Sequence, residues 1–271
     1  MSSIAAALAA ARQTIPIAEA RLLLRHLSGC TPAWLEAHRD DALDAALEER
    51  FALLVAARAA GEPIAYLMGR REFYGREFAV TSAVLIPRPE TELLVDLGKA
   101  AVGGIVAPRI LDLGTGSGCI ATTLVLELPG AEVVALDVSA AALEVAQGNA
   151  GRLGAHVRFV LSDWFTVLTD ERFDLIVANP PYVAEGDPHL AEGDLRFEPA
   201  LALACGVDGL SAIRRIVAEA PRYLCPGGQL FFEHGYDQAE ATAHLLQTAG
   251  FDSIEQHRDL AGIVRVSGGR H

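Results

Sequence analysis

Near the middle of the chain lies the stretch Ile110-Leu111-Asp112-Leu113-Gly114-Thr115-Gly116-Ser117-Gly118. Its first four residues form a short, mostly apolar run that ends in glycine, which predicts a buried strand. The residues that follow, Cys119 to Leu128, are typical of a helix. A glycine-rich turn between a strand and a helix lets a ligand approach the backbone closely. Alone, this turn fits several nucleotides and nucleosides.

Strand and helix patterns alternate from Arg109 onward, which predicts an α/β fold with a doubly wound sheet that is mostly parallel. The predicted strands are 110–113, 133–137, 157–160, 173–178 and 229–233, and the helices between and after them are 119–128, 140–152, 211–223 and 238–249. A turn is predicted at Pro226-Gly227-Gly228. Residues 251–256 and 263–267 are expected to close one end of the sheet as an antiparallel pair.

Residues 1 to about 70 have helical patterns, with Asp41 predicted as the cap of a helix that runs to Gly61. They are expected to form either a packed bundle or a partner-recognition module. The segments 73–80 and 83–86 predict the two arms of a β-hairpin between two domains. The following segment, Pro87 to Glu92, is stiff and charged, so it is interpreted as a linker or as a lid over a cofactor.

Composition limits the class of protein. The 271 residues are 51% apolar and carry a net charge of −13. Such a negative field disfavours binding of duplex nucleic acid through its phosphates. Four scattered cysteines without a C-x-x-C pair argue against a zinc site and fit a reducing cytoplasm. Neither a membrane-spanning run nor a signal peptide is predicted.

The second motif is Asn179-Pro180-Pro181-Tyr182, directly after the apolar run 173–178. Two prolines end a strand abruptly and hold the preceding residue in an extended conformation. Asn179 is therefore expected at the carboxyl end of a strand, where open α/β sheets bind ligands. Its amide oxygen and the Pro180 carbonyl could accept both hydrogens of a planar –NH2 group, with Tyr182 as an aromatic wall. The alternative is a strand-ending turn.

Three further residues lie where a nucleoside would need them. Asp137 stands 19 residues after Gly118 at the end of the next predicted strand, where a carboxylate can accept ribose hydroxyls. The alternative is that Asp137 caps the following helix. Asp163-Trp164 follows the third predicted strand and is placed to contact an adenine, with core packing as the alternative for Trp164.

The first and fourth predicted strands are expected to be neighbours at the topological switch point of the sheet. The glycine turn and Asn179 would then share one crevice, in which a cofactor carrying an electrophile could meet a gripped –NH2 group. His234 is a conceivable base, but it stands at a strand end with no partner visible in the sequence, and a structural role is favoured.

Taken together, these motifs resemble class I S-adenosylmethionine-dependent methyltransferases that act on planar amino groups. More narrowly, the chain resembles the release factor glutamine methyltransferases over nearly its whole length. The motifs that carry the narrower likeness are 62–67, 85–92, 197–199, 208–210, 233–235 and 259–262. One departure is Ile263-Val264, where the family pattern would have a charged residue before Arg265.

The resemblance implies methylation of the side-chain amide nitrogen, N5, of the glutamine in the Gly-Gly-Gln motif of class-1 peptide chain release factors. It implies S-adenosyl-L-methionine as the methyl donor, S-adenosyl-L-homocysteine as the product, and no metal. It assigns cofactor binding to Gly114, Thr115, Gly116, Ser117, Gly118, Asp137, Asp163, Trp164 and Asn179. Substrate binding falls to Asn179, Pro180, Pro181 and Tyr182, of which Asn179, Pro180 and Tyr182 are the expected catalytic residues.

The corresponding domain expectation is a helical substrate-recognition domain at 1–71, a β-hairpin linker at 72–87 and a Rossmann-like methyltransferase domain at 88–271. A cytoplasmic monomer that binds neither a membrane nor duplex nucleic acid is expected.

Three other functions remain open. An adenine-N6 methyltransferase on nucleic acid could use the same tetrapeptide, but it would need base flipping and usually a basic recognition region. A non-catalytic nucleotide-binding module would leave the intact motifs without a use. A dehydrogenase would leave Asn179 to Tyr182 unexplained.

Overall fold

The structure, a computed structural model, describes residues 2–271. It contains two compact units. One comprises the residues up to Arg70 together with Glu192–Phe197, and the other comprises Arg71–Ala191 and Glu198–His271.

The first unit is helical. Its helices are α1 (Ile4–Ala11), α2 (Ile17–Ser28), α3 (Pro32–Ala37), α4 (Ala45–Ala59) and α5 (Ile64–Met68). They enclose a small apolar core of their own, in which Leu23, Leu24 and Phe51 are almost fully buried. The same unit contains an ion pair between Arg58 and Asp194, with 3.0 Å between nitrogen and oxygen.

The predicted cap of the long helix is wrong. Asp44, and not Asp41, caps α4, because its carboxylate accepts hydrogen bonds from the backbone N–H groups of Ala46 and Leu47. Leu43, expected inside the helix, is buried just before it, and its N–H donates to the Ser2 carbonyl. Tertiary burial of Leu43 therefore delays the start of the helix by one turn.

The hairpin is shorter than predicted and lies earlier. Its strands are β1 (Arg70–Phe73) and β2 (Arg76–Ala79), joined at Tyr74-Gly75. Both turn residues have positive φ, 53° and 71°, as a tight two-residue hairpin requires. Residues 83–86 do not form the predicted second arm. The Ile86 N–H instead donates to the buried carboxylate of Glu198 at 3.0 Å.

The second unit contains a seven-stranded sheet, which confirms the predicted fold class. Its strands are β3 (Arg109–Leu113), β4 (Glu132–Asp137), β5 (Val157–Leu161), β6 (Phe173–Ala178), β7 (Leu224–Glu233), β8 (Asp252–Arg258) and β9 (Val264–Arg270). The order across the sheet is β5-β4-β3-β6-β7-β9-β8. Strands β3 to β7 are parallel, and β9 runs antiparallel to both β7 and β8.

The second unit also contains helices, and the longer ones pack on the sheet. The helices are α6 (Glu92–Val102), α7 (Cys119–Glu127), α8 (Ala140–Leu153), α9 (Ala200–Leu203), α10 (Ser211–Glu219) and α11 (Ala239–Thr248). Successive residues of β3 belong to two different apolar clusters: Ile110 is in a cluster with residues of α6 and α7, and Leu111 is in a cluster with residues of α10 and α11. A sheet covered on both faces needs apolar side chains on both, which explains the continuous apolar runs in the sequence.

The fifth parallel strand is longer than predicted. The turn expected at Pro226-Gly227-Gly228 lies inside β7, where the register against β6 shifts between Phe173 and Leu175. Backbone hydrogen bonds of Gly227 and Gly228 with His271 hold this segment in the sheet. Pro226 and the two glycines therefore form a bulge within the strand and do not end it.

β3 and β6 are adjacent, as predicted, with Leu113 paired to Ala178 at their carboxyl ends. From β3 the chain adds β4 and β5 on one side, and it then places β6 on the other side. This reversal opens a crevice beyond the ends of the two strands.

Candidate active site

The glycine turn follows β3 directly. Gly114, Gly116 and Gly118 all have positive φ, between 55° and 76°, a region that residues with a Cβ rarely adopt. A Cβ on Gly118 would lie 2.9 Å from the Cβ of Ala146 in α8, so this glycine permits close packing. A Cβ on Gly116 would meet no atom of the described part of the chain within 4 Å. Gly118 therefore serves the packing of the fold, and Gly116 leaves open space at the crevice.

Below the turn, Asp112 is fully buried. Its carboxylate accepts a hydrogen bond from the Thr115 hydroxyl at 2.6 Å, and this bond braces the loop from inside. Burial raises the pKa of Asp112 to about 7, although the bond from Thr115 opposes the rise.

Asp137 stands half-buried at the end of β4. One carboxylate oxygen accepts a hydrogen bond from the Gly116 N–H at 2.9 Å, and the other accepts one from the Ser139 N–H at 2.9 Å. Ser139 is the residue that caps α8, through its bond from the Ala142 N–H, so the cap alternative for Asp137 is wrong. A carboxylate has about four acceptor positions, and Asp137 therefore keeps some for a ligand.

Asp163 and Trp164 follow β5. Asp163 is exposed, and both its carboxylate oxygens accept from the Arg215 guanidinium, at 2.8 and 2.9 Å. Trp164 has a positive φ of 50°, and the Ser162 hydroxyl donates to its carbonyl at 2.8 Å. Its half-buried ring lies 3.6 Å from the position that a Cβ on Gly114 would take. The ring thus forms a wall beside the glycine turn.

These groups line a cavity of about 310 Å³, a size typical of small-molecule sites. The predicted site residues that line it are Gly114, Thr115, Gly116, Ser117, Asp137, Asp163, Trp164, Asn179 and Pro181. Gly118, Pro180 and Tyr182 do not line it. The rest of the wall comes mainly from residues 83–91 and 199–205.

Asn179 lies at the end of β6 on the cavity wall. Its amide nitrogen Nδ2 donates to the Thr91 hydroxyl at 3.1 Å, and that hydroxyl donates to Glu233 Oε2 at 2.7 Å. The other Glu233 oxygen accepts from the Tyr182 hydroxyl at 3.0 Å. Tyr182 is thus tied to Glu233 and does not form the aromatic wall expected at the cavity. Burial, with the negative charge of Glu233 as a further cause, raises the pKa of Tyr182.

Four residues of this neighbourhood had no predicted role as site residues. Thr91 and Glu233 are each 2% exposed, and they reach Asn179 from a short turn before α6 and from the end of β7. Arg88 lines the cavity, and the buried carboxylate of Glu198 is ion-paired with it. All four residues belong to the motifs that carry the family resemblance, and Arg88 and Thr91 also lie in the segment Pro87 to Glu92 that was interpreted as a linker or a lid. Their contacts with one another were not predicted, because contacts between residues so distant in the sequence leave no local pattern.

His234 has the partners that the sequence did not reveal. It is fully buried; its Nδ1 lies 2.8 Å from the Gly235 carbonyl, and its Nε2 lies 2.9 Å from the Ser267 hydroxyl. Burial lowers the pKa of His234, which favours the neutral imidazole. Both ring nitrogens are engaged within the protein, as a structural role requires.

Comparison with known proteins agrees with this architecture. A family model described as the methyltransferase small domain matches residues 89–194, and one described as the PrmC N-terminal domain matches residues 1–69. Among solved structures, the hMettl16 catalytic domain in complex with MAT2A 3′UTR hairpin 6 covers 80% of this chain and 81% of its own, with a TM-score of 0.58 and 18% identity. The T. thermophilus 16S rRNA N2 G1207 methyltransferase covers 74% of this chain and 49% of its own, with a TM-score of 0.53 and 24% identity. At these identities the likeness shows the fold alone.

The sheet order and the glycine-lined cavity at its switch point define a class I methyltransferase. Sequence relatives narrow the class. A release factor glutamine methyltransferase of Bordetella pertussis is 55% identical over 94% of this chain and 95% of its own length. A protein of the same description from Xylella fastidiosa strain 9a5c is 50% identical over 100% of this chain and 98% of its own length. One from Escherichia coli K12 is 40% identical over 94% of this chain and 92% of its own length. The chain belongs to the release factor glutamine methyltransferase family.

Across residues 2–271, no helix is long and apolar enough to cross a membrane.

Proposed function

We propose that this protein transfers a methyl group from S-adenosyl-L-methionine to N5 of the glutamine in the Gly-Gly-Gln motif of class-1 release factors. The observation that carries the proposal is the position of Asn179, at the end of β6 on the wall of the cavity that the glycine turn lines. The description of the relatives supports the choice of a release factor glutamine as the substrate.

The cavity fits the cofactor. The backbone of Gly114 to Gly116 is open to a ligand, because no atom of residues 2–271 lies within 4 Å of the position that a Cβ on Gly116 would take. Asp137 has acceptor positions left for ribose hydroxyls, and the Trp164 ring offers a flat apolar surface to an adenine. Asp163 would accept from the base while it stays paired with Arg215. When bound, the cofactor supplies a methyl group on a positively charged sulfur, with a neutral leaving group.

The protein's own task is then to hold and polarise a weak nucleophile, since the lone pair of an amide nitrogen is delocalised. Asn179 Oδ1 and the Pro180 carbonyl would each accept one N–H of the substrate amide, with Pro181 beside them and Tyr182 fixed behind. Positive charge that builds on the nitrogen strengthens both hydrogen bonds in the transition state. Holding the nitrogen in place accounts for a further part of the rate, up to about 7–11 kcal/mol in well-oriented systems. No side chain is required as a nucleophile or a metal ligand.

The proposal also assigns a role to each domain. Residues 1–71 would recognise the release factor, residues 72–87 would link the two domains, and residues 88–271 would carry out the reaction. The protein would act as a monomer in the cytoplasm, without direct binding to duplex nucleic acid. The adenine-N6 alternative gains nothing from the relatives, whose printed descriptions name a release factor and glutamine.

A direct test uses a purified class-1 release factor and methyl-labelled S-adenosylmethionine, followed by peptide mass spectrometry. We expect the Gly-Gly-Gln peptide to gain the mass of one methylene group, and a release factor with Gly-Gly-Ala to gain none. Asn179→Ala is the matched enzyme variant: it should fold, still bind some S-adenosylhomocysteine in calorimetry, and lose most turnover. Label in added DNA or RNA, with an unmodified glutamine, would refute the proposal.

A further inference from the structure

The amide of Asn179 is held by two buried residues that lie far from it in the sequence. Thr91 belongs to the short 3-10 turn Pro89–Thr91, and Glu233 is the last residue of β7. Asn179 Nδ2, the Thr91 hydroxyl and Glu233 Oε2 form a continuous chain of hydrogen bonds, 3.1 and 2.7 Å long.

The hydrogens available on each group determine which group donates in each of these hydrogen bonds. An ionised carboxylate can only accept, so Thr91 must donate its single hydroxyl hydrogen to Glu233. The Thr91 oxygen can then only accept from Asn179, and the group that it accepts from is the –NH2 end of the amide. The flipped amide would place its oxygen against the Thr91 oxygen with no hydrogen between them. The bonds therefore turn Nδ2 toward Thr91 and leave Oδ1 for a ligand.

The contacts of Glu233 are those of a group that accepts a hydrogen bond on each of its two carboxylate oxygens. Burial raises the pKa of Glu233, and the hydrogen bonds from Thr91 and Tyr182 and the positive charge of Arg265 counteract that rise. The Tyr182 hydroxyl donates to Oε1 at 3.0 Å, so each carboxylate oxygen accepts from one hydroxyl. Two donors on two oxygens match a carboxylate, which has no hydrogen of its own to place.

From this geometry we propose that Glu233 and Thr91 are positioning residues that fix which end of the Asn179 amide faces the substrate. The inference rests on the proposed function, in which Asn179 Oδ1 accepts a hydrogen from the substrate –NH2 group. A flipped amide would present its own –NH2 group to that of the substrate, and two donors repel. The hydrogen bond from the substrate nitrogen to Asn179 Oδ1 strengthens as positive charge builds on that nitrogen. Its loss corresponds to a fall in kcat of about 10–100-fold.

The first experiment removes the hydroxyl of Thr91. Thr91→Val keeps the shape and should lower kcat about 10–100-fold, with the Kd for S-adenosylhomocysteine unchanged. Thr91→Ser keeps the hydroxyl and should restore most of the rate. Thr123→Val is the matched control, because Thr123 is fully buried in α7 and its hydroxyl has no hydrogen-bond partner among residues 2–271. Equal kcat in Thr91→Val and Thr123→Val would overturn the proposal.

The second experiment reverses the direction of the chain of bonds. Glu233→Gln introduces an –NH2 donor toward Thr91, and Asn179→Asp introduces a carboxylate that cannot donate, so each single variant should lose kcat. In the double variant the new amide donates to Thr91, Thr91 donates to the new carboxylate, and an acceptor oxygen again faces the substrate. If the two substitutions acted independently, the kcat of the double variant would equal the value obtained by multiplying their two separate losses. We expect its kcat to exceed that value by at least about tenfold, and a kcat equal to that value would refute the proposed hydrogen-bond chain.

A spectroscopic measurement separates this inference from the proposed function. The side-chain –NH2 signals of Asn179, assigned in ¹⁵N-labelled protein by their absence in Asn179→Ala, should shift in Thr91→Val and stay in place in Thr123→Val. If the Asn179 side-chain signals do not shift in Thr91→Val, the positioning role is overturned, even in an active enzyme. If the signals shift in Thr91→Val but the wild-type enzyme leaves release factor glutamine unmodified, the proposed function alone is refuted. The Glu233 and Asn179 variants leave Thr91 in place, so they test the same chain if Thr91→Val does not fold.

Discussion

Adding a single methyl group at Gly118 or at Gly116 should have different consequences, although the two residues lie in the same turn. At Gly118 the new Cβ would lie 2.9 Å from the Cβ and 3.2 Å from the Cα of Ala146, and φ is 76°. The left-handed backbone costs about 1–2 kcal/mol for a residue with a Cβ, and overpacking adds about 1–3. Gly118→Ala should therefore lower the free energy of unfolding by about 2–5 kcal/mol.

Gly116→Ala carries only the backbone cost, about 1–2 kcal/mol at its φ of 55°, because none of the residues that the structure describes has an atom within 4 Å of the new Cβ. Its effect should appear in binding, since Gly116 lines the cavity and Gly118 does not. We expect Gly116→Ala to weaken S-adenosylhomocysteine binding in calorimetry more than Gly118→Ala does, measured at a temperature at which both variants are folded.

The assay must report on the sheet unit alone, because a chain with two compact units need not unfold in one step. The chain has two tryptophans, Trp34 and Trp164, and only Trp164 belongs to the sheet unit. Urea unfolding followed by fluorescence in a Trp34→Phe background therefore isolates the relevant transition. Equal losses of stability in the two glycine variants, or a larger loss in Gly116→Ala, would refute the assignment of Gly118 to packing and of Gly116 to the cavity.

Three further changes test other parts of the site. Asp112→Asn should flatten the dependence of stability on pH. Because the pKa of Asp112 is raised from 3.8 to about 7 in the folded protein, the wild type loses up to about 4 kcal/mol of unfolding free energy as pH rises through that window. Urea titrations at several pH values should show that the variant lacks this loss. Arg215→Ala frees the exposed carboxylate of Asp163, so it should change the Kd of S-adenosylhomocysteine in calorimetry by a few-fold at most and leave stability within about 1 kcal/mol. Asn149→Ala should cost about 2–4 kcal/mol in the same urea assay, because its buried amide bonds both the N–H and the carbonyl of Ala79; a loss under about 1 kcal/mol would contradict that bracing role.

The sequence was most informative where local chemistry alone determines structure. The glycines after Leu113 can hold a positive φ, and the prolines after Asn179 end a strand in almost any context. Strand alternation then implied that β3 and β6 are adjacent, because few topologies satisfy such a pattern. The crevice was thus predictable from residues 109–182 without any tertiary information.

Other features depend on partners that are distant in the chain. Pro226-Gly227-Gly228 has the composition of a turn, yet pairing with His271 keeps it inside β7. Asp41 and Asp44 are equally good caps by type, and burial of Leu43 selects between them. Tertiary contacts decide such cases, and no local rule reports them.

The same limit applies to the site. Tyr182 was expected to form an aromatic wall beside the ligand, but its hydroxyl donates to the buried carboxylate of Glu233, 51 residues away in the sequence. Thr91 and Glu233 occupy element ends with no local feature that distinguishes them from ordinary polar residues. Most of the predicted site residues line the cavity, whereas Thr91 and Glu233, which hold the Asn179 amide, were not predicted.

The placement of β8 also affects how the protein behaves in a crowded solution. β9 lies between β7 and β8, so β8 forms one edge of the sheet, with the sequence Asp-Ser-Ile-Glu-Gln-His-Arg. An unpaired edge invites a strand from a second molecule, and charged side chains and irregular register both discourage it. β8 has both, with register shifts near Asp252 and His257. At the opposite edge, β5 is only five residues long and includes Arg158. Both open edges of the sheet are thereby poorly suited to strand-to-strand aggregation.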